Sequence, residues 1–177
     1  MKAKILLLLT VVTFLTACET NDSNVSITEA DLIGTWNLKS QTIEDGTFNV
    51  TTQGQTLSAN YSGLAEDIDF TYTFSTTPNQ LDLQGRYNFT ASINFFGQTE
   101  TEEEEINTDV FPIPSVNWSL NGDSITITEG SNELPAILNI IEFSSNFMKL
   151  RGEIDESETF DGETIATKAT IYIELEK

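Results

Sequence analysis

The sequence predicts an all-β domain: an antiparallel up-and-down barrel, or a closed sandwich, of about eight to ten strands with one short N-terminal helix. Three observations predict it. Apolar residues alternate with polar ones at period two through most of the chain, and no stretch of useful length keeps a helical period. Turn signals recur every 8–15 residues, mostly as short hairpin connections. Eleven Phe among 177 residues, with abundant Thr, Ile and Asn, favour strands over helices.

The elements follow in order. "SITEADLIGTW" holds the one helical turn. Thr28 is placed to cap it, with Asp31 three residues on in a capping box, and Ile27 and Leu32 at staple positions. Gly34 is suited to end it in a left-handed conformation. Trp36 and Leu38 then begin the alternation, and "EDG" at 44–46 reads as a hairpin turn. A weakly apolar strand pair runs through Tyr61. "DIDFTYTFS" puts Ile68, Phe70, Tyr72 and Phe74 on one face, and "TTPNQ" breaks it. "RYNFTASINFFG" puts Tyr87, Phe89, Ala91, Ile93 and Phe95 on one face. "SVNWSLNGDSITIT" is two strands about Asn121-Gly122-Asp123. "AILNIIEF" at 136–143, apolar on both faces, reads as a covered strand. "FMKLRGEI" points Met148, Leu150 and Ile154 inward and Lys149, Arg151 and Glu153 outward. After "FDGE", the final predicted strand points Ala169, Ile171, Ile173 and Leu175 inward.

The start of the chain is a separate unit. Lys2 and Lys4 precede an apolar run, Ile5 to Leu15, of 11 residues. A membrane-spanning helix needs about 20, so residues 1–17 read as a secretory signal outside the fold. The run ends Leu15-Thr16-Ala17-Cys18, which resembles the bacterial lipobox. That resemblance implies cleavage before Cys18 and lipidation of it, with Ala17 and Leu15 at the family's small and apolar positions. Cys18 is the only cysteine, and a lipid-capped thiol would avoid intermolecular pairing. Each buried acyl CH2 contributes about 0.8 kcal/mol, and two chains anchor a protein stably. Residues 18–27, polar with little to bury, read as a disordered tether. Glu19 stands where enteric bacteria use aspartate to retain lipoproteins at the inner membrane, so the resemblance implies the outer membrane. Glu19 and Asp22 also resemble the acidic surface-export signals of Bacteroidota lipoproteins, although Thr20 and Asn21 separate them.

Residues 28–177 carry a second resemblance. "LIGTWNLKSQTIEDG", "VNWSLNGDSITITEG" and "ILNIIEFSSNFMKLRGEI", in that order, look like the lipocalin-like domains of Bacteroidota lipoproteins. The family implies a small antiparallel barrel and supplies no catalytic residues to carry over. In lipocalins the Gly-x-Trp tryptophan closes one end of the barrel beneath a late arginine. Trp36 matches the tryptophan. The final predicted strand has Lys168 at its start and no arginine, and the chain's arginines are Arg86 and Arg151.

Composition narrows the function. Cleavage before Cys18 would remove two lysines and no acid, leaving six basic against 28 acidic side chains, a charge of −22. Such a surface repels nucleic acid and anionic lipid head groups. The chain has no histidine, which removes the commonest general base and zinc ligand. No catalytic residues, metal or cofactor are expected. "ETEEEEI" at 100–106 can be read as a calcium site or as a solvated edge strand. Consecutive glutamates on a strand face opposite ways, which favours the edge strand. "DESETFDGETIATK" fails as an EF-hand, because alignment on Gly162 puts Lys168 where a bidentate glutamate belongs.

The resulting expectation is a lipid-anchored outer-membrane lipoprotein with a non-catalytic domain. It would be held to the membrane by lipid on Cys18, with Trp36 closing the barrel. The aromatic faces are either a filled core or the lining of a cavity for a small apolar ligand, with Phe70, Tyr72, Phe89 and Phe95 as candidates. A structural or protein-interaction module of a cell-surface complex is the alternative, and a carboxylate-based hydrolase is a third reading.

Overall fold

The computed structural model describes residues 27–110, 113–128, 136–160 and 162–177. The predicted signal segment and Cys18 lie outside them, as does the tether apart from Ile27, which packs on the core. The described elements are α1 (Glu29–Leu32), β1 (Gly34–Thr52), β2 (Gln55–Ser75), β3 (Gln80–Phe95), β4 (Gln98–Asn107), β5 (Val116–Asn121), β6 (Ser124–Thr128), β7 (Ala136–Phe143), β8 (Phe147–Phe160) and β9 (Glu163–Glu176).

Every strand pair is antiparallel, and consecutive strands are joined mostly as hairpins. β1 pairs with both β2 and β9, so the sheet closes on itself as an all-β barrel. β3 meets β5 only at Gln80 and Leu81. From Arg86 onward that same edge of β3 is taken by β4. Eight strands therefore make the ring, and β4 is a flap on it.

Strand length decides the shape. β5, β6 and β7 have 6, 5 and 8 residues, whereas β1 and β2 have 19 and 21. The ring can be no taller than its shortest staves. The excess of β1, β2, β3, β8 and β9, with β4, stands beyond it as a six-stranded sheet.

The ring is filled. Phe70, Tyr72, Phe74, Leu81, Val116, Trp118, Ile125, Ile140, Met148, Leu150, Ile173 and Leu175 are all buried, as the period-two reading requires. Burying such a side chain contributes about 1.5–3 kcal/mol. Trp118 stands edge-on to Phe74, centroids 5.4 Å apart, and its indole N–H is shared by the carbonyls of Ser75 and Gln80.

α1 plugs one end. Asp31 Oδ2 accepts hydrogen bonds from the Thr28 backbone N–H (2.8 Å) and hydroxyl (2.6 Å), fixing the turn as its capping residues predict. These bonds hold the Asp31 carboxyl below its usual range. Leu32 is fully buried, and its carbonyl accepts the Trp36 indole N–H at 2.7 Å. Trp36 has no solvent exposure. Lys168 plays no part here: it pairs with Asp155 in the β8–β9 hairpin. The cation over the Trp36 ring is Lys177, which follows β9.

Two expectations are corrected. "EDG" is not a hairpin turn. β1 runs straight through it, with Asp45 at φ 53° and a register shift between Ile43 and Gly46, so the segment is a bulge. A Cβ on Gly46 would meet the Tyr61 backbone carbonyl first and then a Tyr61 ring carbon at 2.7 Å, so glycine is there to admit both the neighbouring backbone and the ring. The chain reverses instead at Gln53-Gly54, both at positive φ (50° and 78°), between paired Thr52 and Gln55. Nor is "AILNIIEF" covered: Ile140 is buried, but Ile137 and Ile141 are 52% and 45% exposed. A single-layer barrel covers one face of each strand, and no other described layer lies outside β7.

Candidate functional site

Side-chain alternation carries the barrel's inner face out along the extended sheet, whose strand order is β4-β3-β2-β1-β9-β8. Register fixes which residues share that face, because directly paired residues point the same way. Tyr61 pairs with both Ile93 and Gly46, Gly63 with Ala91, Phe48 with Ala59 and Thr167, and Val50 with Leu57 and Ile165. The face is apolar across four strands.

Two cross-strand glycines shape it. The Phe89 ring lies over Gly63 so closely that a Cβ there would overlap it, and the Tyr61 ring lies over Gly46, where the Tyr61 backbone carbonyl comes closer still. Each ring occupies the space of a missing side chain, which lets the sheet curl. Residues from four strands, Phe48 (β1), Tyr61 (β2), Ala91 and Ile93 (β3) and Thr167 (β9), consequently line one hollow of about 360 Å3. That is near the lower end of the range for small-molecule sites, about 300–1,000 Å3. Phe48, Leu57, Ile93, Phe95 and Ile165 are each 38–47% exposed, a concentration of large apolar side chains on one face.

The floor of this trough is the top of the packed barrel. Phe70 contacts Tyr72 and Tyr87 edge-to-face, at centroid distances of 5.8 and 5.2 Å. Burial pushes the Tyr72 phenol far up. Burial also raises Tyr87, and a hydrogen bond with Gln41 works against that rise. The Tyr61 phenol is raised first by burial and then by the carboxylate of Glu156, which shares the trough face through its pairing with Thr167.

The rims are acidic. On β4, Glu104, Glu102 and Glu100 pair with Phe89, Ala91 and Ile93 and so face the trough, while Glu103 and Glu105 face away. On β8, Glu156 and Glu158 pair with Thr167 and Ile165 and also face in. Among the described residues neither the outer edge of β4 nor that of β8 beyond Gly152 has a strand partner. The β4 glutamates thus form an exposed edge strand, and no group of three acidic side chains among the described residues converges as a metal site would. A larger hollow, about 610 Å3, involves the opposite, polar face, with Thr47, Asn60, Ser62, Ser92, Asn94 and Thr99 in its lining.

The four candidate lining residues are divided. Phe70 and Tyr72 belong to the filled core, 4% and 8% exposed. Phe89 is on the trough face over Gly63, and Phe95 lies farther along it, its ring centroid 4.2 Å from that of Phe96 and tilted 54° to it. Trp36 is fully buried against α1, at the opposite end. Phe48, Tyr61, Ala91, Ile93 and Thr167 were not singled out by sequence as lining residues. The available signal was alternation continuing past the length that a small barrel needs.

No protein-family model, curated protein or solved structure matches the chain.

Proposed function

We propose that the chain is a lipid-anchored outer-membrane lipoprotein whose lipocalin-like domain is non-catalytic and holds a small apolar ligand. The site is the trough beyond the barrel, not the barrel interior. One observation carries this reading: a curled apolar hollow of about 360 Å3, lined by Phe48, Tyr61, Ala91, Ile93 and Thr167, stands on a barrel that is itself filled. Folding alone gives no reason for so much apolar surface to stay on one face. The full chain should take up a neutral environment-sensitive dye such as N-phenylnaphthylamine saturably. Phe48→Ala or Ile93→Ala should weaken uptake without loss of folding. Non-saturable uptake, or uptake indifferent to both changes, would refute the reading. For the anchor, mass spectrometry of membrane-derived protein should find Cys18 acylated and N-terminal, and a free thiol there would refute it.

A second reading, an interaction module of a surface complex, is favoured by Ile137 and Ile141 exposed on β7. It requires a cross-linked partner that is lost on Ile137→Ser with Ile141→Ser.

A further inference from the structure

We infer that the trough selects a cationic amphiphile: an apolar body seated in the hollow, with an ammonium or guanidinium head held at the acidic rims. The inference rests on the trough being the binding site, and it adds the charge of what binds there.

The residues that line the hollow are paired directly with the rim carboxylates. Ile93 lies opposite Glu100, Ala91 opposite Glu102 and Thr167 opposite Glu156. Directly opposed residues in an antiparallel pair have Cβ atoms about 4.5–5.5 Å apart. Each of these carboxylates therefore stands on the face of the hollow, within one side chain's reach of it. The hollow is flanked on both sides, by β4 and by β8.

No described cation balances them. Lys39, Lys149, Arg151 and Lys168 pair with Glu176, Glu174, Glu153 and Asp155, all on the outer face of the sheet. Arg86 is opposite Asp69, one residue from inward-facing Gly85, and so is also outward. Lys177 is at the far end, over Trp36. The trough face has carboxylates and no Lys or Arg among the described residues. An apolar wall beside unbalanced charge focuses the field into the groove.

That field sorts the occupants. A fatty-acid anion is repelled. A second copy brings a formal charge of −20, and the chain's own segment after Cys18 brings Glu19 and Asp22. An amphiphile with a positive head matches both the wall and the rim. Protection of a free strand edge by charge accounts for the outward Glu103 and Glu105 equally well. It does not account for an exposed apolar strip between two rows of inward carboxylates.

The test is competition for bound N-phenylnaphthylamine on the full chain by decylamine, decanol and decanoate, which share a tail and differ in charge. Decylamine should displace the dye at about one-tenth the concentration of decanol, the combined effect of two or three screened charge pairs, and decanoate should be weakest. Raising the salt from about 0.1 to 1 M shortens the screening length from about 10 to 3 Å and should erase the order. Glu102→Gln with Glu156→Gln should erase it while dye binding persists. The outward pair Glu103→Gln with Glu105→Gln, an equal change in net charge, should leave it intact. Equal displacement by decylamine and decanol, or an outward pair as effective as the inward pair, overturns the inference while the binding site stands. Absence of saturable dye binding overturns the site itself, and the inference with it.

Discussion

Lys177 holds its ammonium 4.4 Å from the centroid of the Trp36 ring while donating a 3.0 Å hydrogen bond to the carbonyl of Asp31. The ring itself donates to the next carbonyl in sequence, that of Leu32. One lysine thus ties together the plug helix, the first strand and the end of the ninth. Trp36→Ala should lower stability by about 3–5 kcal/mol, as loss of a fully buried aromatic does. Lys177→Met, which keeps the stem and drops the charge, should lower it by about 0.5–1 kcal/mol. Lys177→Arg should restore most of that. Urea midpoints at unchanged slope are the measurement.

Gly63 should not tolerate a side chain. A Cβ there overlaps the Phe89 ring, so Gly63→Ala must expel the ring or flatten the sheet. Overpacking of this kind costs about 1–3 kcal/mol. Gly63→Ala combined with Phe89→Leu should recover part of the loss, and additive losses in the double variant would show that the two positions are not coupled.

Stability should fall above pH 10. Tyr72 has its phenol raised by burial above the ordinary value of 10.0, and Tyr87 and Tyr61 are raised as well. Above pH 10 the unfolded chain gives up these protons while the folded chain keeps them, so the unfolded state binds fewer protons and unfolding becomes easier as pH rises. The contribution is fully present below pH 10 and is lost as pH climbs toward the folded values. Tyr72→Phe should flatten the decline more than Tyr61→Phe, and denaturant unfolding from pH 8 to 11 should detect it.

The β4 edge should be kept from pairing by its charge. Glu103 and Glu105 face outward and are exposed, with no strand beyond them among the described residues. Glu103→Val with Glu105→Val should raise the sedimentation coefficient relative to the unaltered chain at equal concentration. An unchanged coefficient would mean that another feature protects this edge.

Where alternation is strict, as from Ile68 to Phe74 and from Tyr87 to Phe95, sequence and structure agree, because period two is a local property. The plug turn agrees for the same reason, since Thr28 and Asp31 are three residues apart. The bulge at Asp45 was not legible. A left-handed residue followed by glycine looks the same in a hairpin as in a bulge, and the ring that decides the matter, Tyr61, is supplied by another strand. The division of Phe70 and Tyr72 from Phe89 and Phe95 was also hidden. All four face inward on long strands, and the height at which the barrel stops is set by the brevity of β5, β6 and β7. The role of Lys177 has no local signature, because its partner is 141 positions earlier, on β1.

The seam between β1 and β9 has a consequence for how the molecule is made. It joins Asn37 to Glu176, residues 139 apart in the chain, and continues to Thr51 and Thr164. Contacts of such long range slow folding, to milliseconds or seconds in comparable β-proteins. Until β9 docks, that seam is unmade, whatever the order in which the other hairpins form. Through that interval β1 can pair with β2 alone, and its other edge is open to any strand that meets it. Trp36, near the beginning of the fold in sequence, cannot have its final surroundings until Lys177, at the end of the chain, has arrived over its ring.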